Sequence, residues 1–224
     1  MYPTAPRVDL VEHRHGVPVS DPFRPLERAD DPKTMAWVNE ENALTRRLLD
    51  GPFRDGLVER LRALNRYPRS SAPAIRGRRL FFLHNDGTMN QAALCVRHDM
   101  ERAGSESPQL RVLLDPNALD GAGTTAITEI EPDDEGARIV YALSLHGSDR
   151  QELRVLDVTT GREEPDRIRW VKFASIAWAR EGFFYTRFPA PGSVPPEQQQ
   201  YFCQVWFHRL GEAQDRDRLV YHRP

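Results

Sequence analysis

The chain has 224 residues, 39% of them hydrophobic and 29% charged, with a formal net charge of −2. That length allows one large domain or a domain and a smaller partner, and the interspersed basic and acidic residues exclude a nucleic-acid-binding stripe or a like-charge tail. No run of about 18 apolar residues and no apolar leader occurs, so neither a membrane span nor a secretory signal is predicted. Cys95 and Cys203 lie in separate apolar runs without CxxC partners, a pattern that fits a reducing cytoplasm and buried small residues, not a disulfide framework.

The first 70 residues read as an extended lead followed by helices. His13 and His15 would share a face if they lay on one strand, but two imidazoles without a third ligand make no zinc site. No metal site is therefore predicted. Asp30 and Asp31 suit a helix N-cap and Pro32 the first helical position. Met35, Val38, Leu44 and Leu48 then recur at helical spacing up to Gly51-Pro52. A second helix carries Phe53, Leu57, Leu61 and Leu64 on one stripe and stops before Tyr67-Pro68. The polar stretch RSSAP (69–73) divides a helical segment, 1–70, from a second domain, 71–224.

From about residue 75 the apolar period changes from 3.6 to 2. Strands are predicted at RRLFFLH (78–84), QAALCVRH (91–98), LRVLLD (110–115), RIVYALSL (138–145) and ELRVLDV (152–158). They continue at FASIAW (173–178), GFFYTRF (182–188), FCQVWFHR (202–209) and RLVYHR (218–223). In RIVYALSL the residues Ile139, Tyr141, Leu143 and Leu145 share one face. GTTAIT (123–128) leads into a strand and lacks the pattern of a phosphate loop. A weak repeat is visible: GRRLFF (77–82), GARIVY (136–141) and EGFFYT (181–186) each open a strand after a glycine and lead into a second strand. The set amounts to roughly three propeller blades, fewer than a closed ring needs. An antiparallel sandwich has similar strand spacing.

Several local motifs occur in a fixed order: HG (15–16), DPFRPLE (21–27), AWVNEEN (36–42), NQ (90–91), LLDPN (113–117), GSD (147–149), VKFASIAW (171–178) and FHRLG (207–211). Together they resemble the N-terminal part of the prolyl oligopeptidase family of serine peptidases, which cut short peptides after proline. The resemblance implies a mainly β fold, a partial β-propeller of about three blades preceded by an N-terminal α-helical segment. It implies that residues 1–70 pack on a C-terminal α/β-hydrolase domain and that residues 71–224 are an incomplete propeller covering the active site. Pro25 and Arg150 stand where the family usually has tryptophan, and GAGTT (121–125) replaces its DDGT. Oligopeptidase B, a relative that cuts after basic residues, shares the plan, but the LLDPN, GSD and VKF blocks are more similar to prolyl oligopeptidase.

No GxSxG occurs in 1–224, and the strand–helix alternation of a hydrolase sheet is absent. GSD, AGSES (103–107) and PGSVP (191–195) place serines only in polar turns. The resemblance puts the whole catalytic triad beyond Pro224, so the chain alone is expected to be inactive, with no catalytic residue and no cofactor of its own. The partners implied are short proline-containing peptides and the missing hydrolase domain, not nucleic acid or membrane. The resemblance also implies that Phe173 lines the substrate pocket from the propeller side, where an aromatic wall stacks on an apolar side chain; strand pattern alone makes it a core residue. Asp149 faces a cavity or interface on one reading and bonds its own turn backbone on the other. A rival to the fragment is a stand-alone peptide- or protein-binding module with open strand edges. The ending RLVYHRP shows no capping element, which favours truncation.

Overall fold

The computed structural model describes residues 2–98, 110–195 and 198–223; the serine-bearing AGSES stretch lies outside them. The chain forms two compact units, residues 1–65 and 66–224. In the first, β1 (Val11–Arg14) and β2 (Val17–Ser20) form a hairpin. His15 and Gly16 turn it with φ of 53° and 82°, the double left-handed turn that matches strand twist. His15 therefore sits in the turn, not on the strand face of His13.

Helix α1 (Pro32–Leu49) starts where Asp31 accepts a hydrogen bond from the Lys33 N–H at 2.9 Å, with Pro32 in the first turn. Thr34 Oγ1 donates to the Pro25 carbonyl at 3.1 Å and ties the helix to the lead. Helix α2 (Pro52–Asn65) follows. Thr34 is the one buried residue of the two helices. Leu48, Phe53, Leu57, Leu61 and Leu64 are exposed, while Leu44 is half-buried. Neither helix is long and apolar enough to cross a membrane.

The described residues of the second unit form three antiparallel sheets, two of them simple meanders in chain order and one with two short strands sharing a neighbour. The first contains β3 (Arg69–Ser70), β4 (Ala74–Arg76), β5 (Arg79–Asn85), β6 (Ala93–His98) and β7 (Leu110–Leu114), with β3 and β4 both on β5. The middle sheet is β8 (Ala126–Pro132), β9 (Arg138–Ser144), β10 (Arg150–Asp157) and β11 (Arg162–Lys172). The third is β12 (Ile176–Ala179), β13 (Gly182–Arg187), β14 (Gln204–Arg209) and β15 (Arg218–His222). These are three propeller blades, and the repeat seen in the sequence falls on their second and third strands, β5-β6, β9-β10 and β13-β14.

Two cores lie between the sheets. Phe81, Leu94 and Val96 of the first sheet pack with Ile139, Tyr141, Leu143 and Leu156 of the middle one. Val140, Ala142, Leu153, Val155 and Ile168 pack with Phe183 and Tyr185 of the third. Strand β9 is thus buried on both faces, so its alternation is not the one-sided pattern read from sequence, and Leu145 beyond its end is exposed. Leu113 on β7 is buried, whereas Val220 and Tyr221 on β15 are exposed. Cys95 is buried, but Cys203 is exposed, contrary to its apolar neighbourhood.

Polar ties cross between the blades. Arg76 bonds the Glu131 carboxylate at 2.7 Å, and the Trp178 indole N–H donates to the Glu131 carbonyl at 2.7 Å. The Gln214 side chain clasps Arg169 on β11, accepting from its N–H at 2.9 Å and donating to its carbonyl at 3.0 Å. Deepest is His208 on β14, fully buried. Its Nε2 contacts Asp166 of β11 at 2.8 Å and its Nδ1 contacts Asp217 at 2.6 Å. Asp217 also accepts from the Tyr185 hydroxyl at 2.5 Å, and Asp166 from the Gly211 N–H at 2.7 Å. Burial pulls the imidazole pKa down, but the two carboxylates outweigh it and carry the value from 6.5 up to about 9.

The charged His208 contributes stability that is fully present below about pH 6.5 and is lost as pH rises through about 9. Urea unfolding midpoints measured across that window should fall with rising pH, and His208→Gln should flatten the slope. A second test lies beside it. A Cβ on Gly182 would sit 1.9 Å from the His208 carbonyl oxygen. Gly182→Ala should therefore lower stability by about 3 kcal/mol, read as a shift in thermal midpoint.

Candidate functional site

The site is assembled where the middle sheet meets the third. Strand β11 ends at Lys172, and β12 does not begin at Phe173 as the sequence pattern suggests but at Ile176. The interruption is conformational. Phe173 has φ of 52° and Trp170, three residues earlier, has φ of 61°. Bulky side chains rarely adopt this left-handed region, and each instance costs on the order of 1–3 kcal/mol unless neighbours impose it. Here the neighbours are visible. The Ala174 N–H donates to Gln151 Oε1 at 3.1 Å, and Ser175 N–H donates to Thr186 Oγ1 at 3.1 Å. One clamp comes from each sheet.

The result is an aromatic ring turned outward. Phe173 is 68% exposed, so it is not a core residue. Asp149 comes to the same place by a different route. Between β9 and β10 the chain reverses through His146 and Gly147, both with positive φ, and the Ser148 N–H donates to the Leu145 carbonyl at 3.0 Å. Ser148 in turn holds the exit, its hydroxyl bonding the Arg150 N–H at 3.0 Å. Asp149 is left free to point at Lys172, whose Nζ lies 3.3 Å from its carboxylate. The capping role belongs to Ser148, not to Asp149.

Phe173 and Asp149 line one open cleft of about 610 Å³ together with Glu129, Gln151 and Ser175. Lys172 lines the adjoining hollow and reaches Phe173 from there: its ammonium is 5.5 Å from the Phe173 ring centroid, in cation–π range, and 3.4 Å from Gln200 Oε1. Desolvation, with the Glu131 charge second, pushes the Glu129 carboxyl above its ordinary value. The arrangement offers an apolar ring beside a neutralised acid–base pair and a less acidic carboxyl. Chemically it can stack an apolar group on the Phe173 ring and bond polar groups through Lys172 and Gln151. Among the described residues that line it, no nucleophile is hydrogen-bonded to a base.

Lys172, Gln151 and Glu129 were not singled out by sequence. Lys172 adjoins Phe173 in the VKF block, which was a usable signal. Gln151 and Glu129 come from other strands and carry none.

Phe173→Gly separates the two readings of the ring. A left-handed exposed position should accept glycine with stability unchanged or raised by about 1 kcal/mol, whereas a core phenylalanine would lose about 3–5 kcal/mol. Urea unfolding of the variant decides.

Comparison with known proteins covers the whole chain. A family model described as the prolyl oligopeptidase N-terminal beta-propeller domain matches residues 3–224. A prolyl endopeptidase from Elizabethkingia meningoseptica is 35% identical over 225 residues, 98% of this chain and 30% of the relative. A prolyl oligopeptidase A from Amanita bisporigera is 32% identical, covering 99% of this chain and 33% of the relative. A solved prolyl endopeptidase structure superposes over 100% of this chain and 33% of its own, with a TM-score of 0.84 and 29% identity. A structure of prolyl oligopeptidase B from Galerina marginata, bound to a 25mer macrocyclization substrate, matches with a TM-score of 0.77, 25% identity, and 99% and 34% coverage. The chain thus spans about a third of the length of these relatives.

Proposed function

The chain belongs to the prolyl oligopeptidase family, whose N-terminal β-propeller domain it matches along its length, and from that premise we propose that it supplies the substrate-covering part of a serine endopeptidase acting on short peptides after proline. The observation that carries the reading is Phe173, an exposed aromatic ring held in a left-handed backbone at the wall of a cleft that also contains Asp149. Strain of that kind persists where the side chain's direction matters more than its burial. In this reading Phe173 stacks on an apolar peptide side chain and the Asp149–Lys172 pair orients the peptide. Catalysis itself belongs to a serine-bearing α/β-hydrolase domain, since no GxSxG occurs within 1–224.

Two further features support it. The apolar residues of α1 and α2, such as Leu48 and Phe53, are exposed and suit cover by a hydrolase domain in the unit of residues 1–65. The outer faces of the flanking sheets carry Leu80 and Phe82 on β5 and the tilted ring pair Phe184 and Phe207, with centroids 5.1 Å apart, across β13 and β14. Such faces suit further blades. A cytoplasmic location is part of the proposal and rests on two unpaired cysteines, one of them exposed. The edge strands β7 and β15 support a second reading, a module that takes a peptide by strand addition.

The purified chain should show no hydrolysis of a prolyl reporter peptide above buffer, because nucleophile, base and oxyanion donors are needed together. It should bind an uncleaved prolyl peptide in a manner that Phe173→Ala weakens. Turnover that persists on repurification and is blocked by a serine-directed reagent would overturn the division of labour. Peptide binding unaffected by Phe173→Ala would favour strand addition.

A further inference from the structure

A second cleft, of about 500 Å³, opens on the third sheet, and Pro189 separates it from the hollow containing Trp170 and Lys172. Its floor is a cross-strand row. Arg187 at the end of β13 pairs in register with Gln204 at the start of β14, and Gln204 with His222 on β15. The row lies on paired ladder strands, so its backbone positions are fixed relative to one another. Trp206, two residues along β14, presents its ring to Arg187, whose guanidinium carbon lies 3.7 Å from the ring centroid. The indole N–H is occupied, donating to Gln204 Oε1 at 2.9 Å. The remaining walls are mostly apolar: Pro189 and Val194 from the connection, and Phe202, which has φ of 61° and meets the His222 ring edge-on at 6.3 Å; the Ser193 hydroxyl there is turned to the Ala190 carbonyl at 2.6 Å.

The charged element of the cleft is Arg187. Some arginines of this unit pair with carboxylates, such as Arg138 with Glu164 and Arg154 with Glu152, each at 2.7 Å, while Arg79 and Arg111 bond backbone carbonyls. Arg187 is half-buried, and among the described residues no carboxylate pairs with it. Asp217, which precedes β15, has both oxygens engaged by His208 and Tyr185. Stacking on indole uses the flat face of a guanidinium and leaves its N–H edge open, which is the edge that grips a carboxylate through two parallel hydrogen bonds. An apolar wall beside such a fork selects a carboxylate carried on an apolar body.

We infer that this cleft is a carboxylate-recognition site, distinct from the Phe173 cleft, which takes the free C-terminal carboxylate of a peptide or acylated amino acid with its apolar side chain against Phe202 and Val194. Arg187 supplies the charge and the two-point contact, Trp206 holds the guanidinium in plane, and His222 closes the open end.

The test uses the whole chain and two probes, N-acetyl-leucine and N-acetyl-leucinamide. They share the apolar body and differ in the carboxylate. The read-out is the indole N–H resonance of Trp206, identified by its absence in Trp206→Phe. The acid should shift it in a saturable manner and bind at least about tenfold more tightly than the amide, the ratio a charge-assisted pair supplies. Arg187→Gln should remove that preference, and Arg187→Lys should reduce it, since an ammonium lacks the planar fork. If Arg187→Gln does not fold, the lysine variant and the acid–amide comparison still decide. Equal binding of acid and amide would reduce the cleft to an apolar groove and overturn the inference. So would the absence of any shift up to tens of millimolar probe, or an acid preference untouched by both Arg187 variants.

Discussion

Strand β9 sends Ile139, Tyr141 and Leu143 to one side and Val140 and Ala142 to the other, and none of the five retains exposed surface. A strand with no wet face cannot be served by one partner layer. It requires a sheet on each side, and so the middle blade dictates that three sheets stack or none does. Removing either flank would return several large side chains to water at roughly 1.5–3 kcal/mol apiece. The polar ties across the joints are consistent with this order of importance. Arg76, Trp178 and Gln214 bond mainly to Glu131 and to backbone groups of Arg169, so they set how the sheets are turned against each other once burial has brought them together.

The joint between middle and third sheets differs from the other in carrying a buried charge. A protonated His208 between Asp166 and Asp217 is a triad that would be costly to assemble piecemeal, because each member alone leaves an uncompensated charge or carboxylate in a dry place. The same joint carries the Phe173 cleft at its rim. The clamps on residues 174 and 175 come from Gln151 on one sheet and Thr186 on the other, so the direction of the Phe173 ring depends on how accurately the two sheets are docked. A rigid, polar-latched joint and a strained ring at its edge are parts of one arrangement.

Much of this was legible in the sequence. The strands β5, β6, β9, β10, β13 and β14 announced themselves because each is apolar on at least one face and follows a glycine or turn cluster. The caps of α1 were readable from Asp31 and Pro32. What escaped notice has physical reasons. Strand β11 is the longest among the described residues, yet REEPDRIRW reads as polar because it is an edge strand with a charged outer surface, where Pro165 is tolerated. The backbone reversal at Phe173 has no marker in its residue type, since phenylalanine does not favour positive φ and the constraint comes from residues 22 and 13 positions away, Gln151 and Thr186. For that reason the ring was legible only through resemblance to a family, and its neighbours from other strands, Gln151 and Glu129, only through the fold.

Asp217 lies immediately before β15, and its two carboxylate oxygens hold His208 and Tyr185 on two different strands. Under tension applied to the chain after β15, the ladder to β14 is loaded at its far end and opens pair by pair, an unzipping that needs little force at any moment. At Asp217 the geometry changes. Further extension must shear two charge-assisted bonds at once and pull a carboxylate out of a dry interior. The last strand of the third sheet is therefore a compliant leader fixed to a stiff anchor, and mechanical load from whatever follows it is passed directly to the joint with the middle sheet.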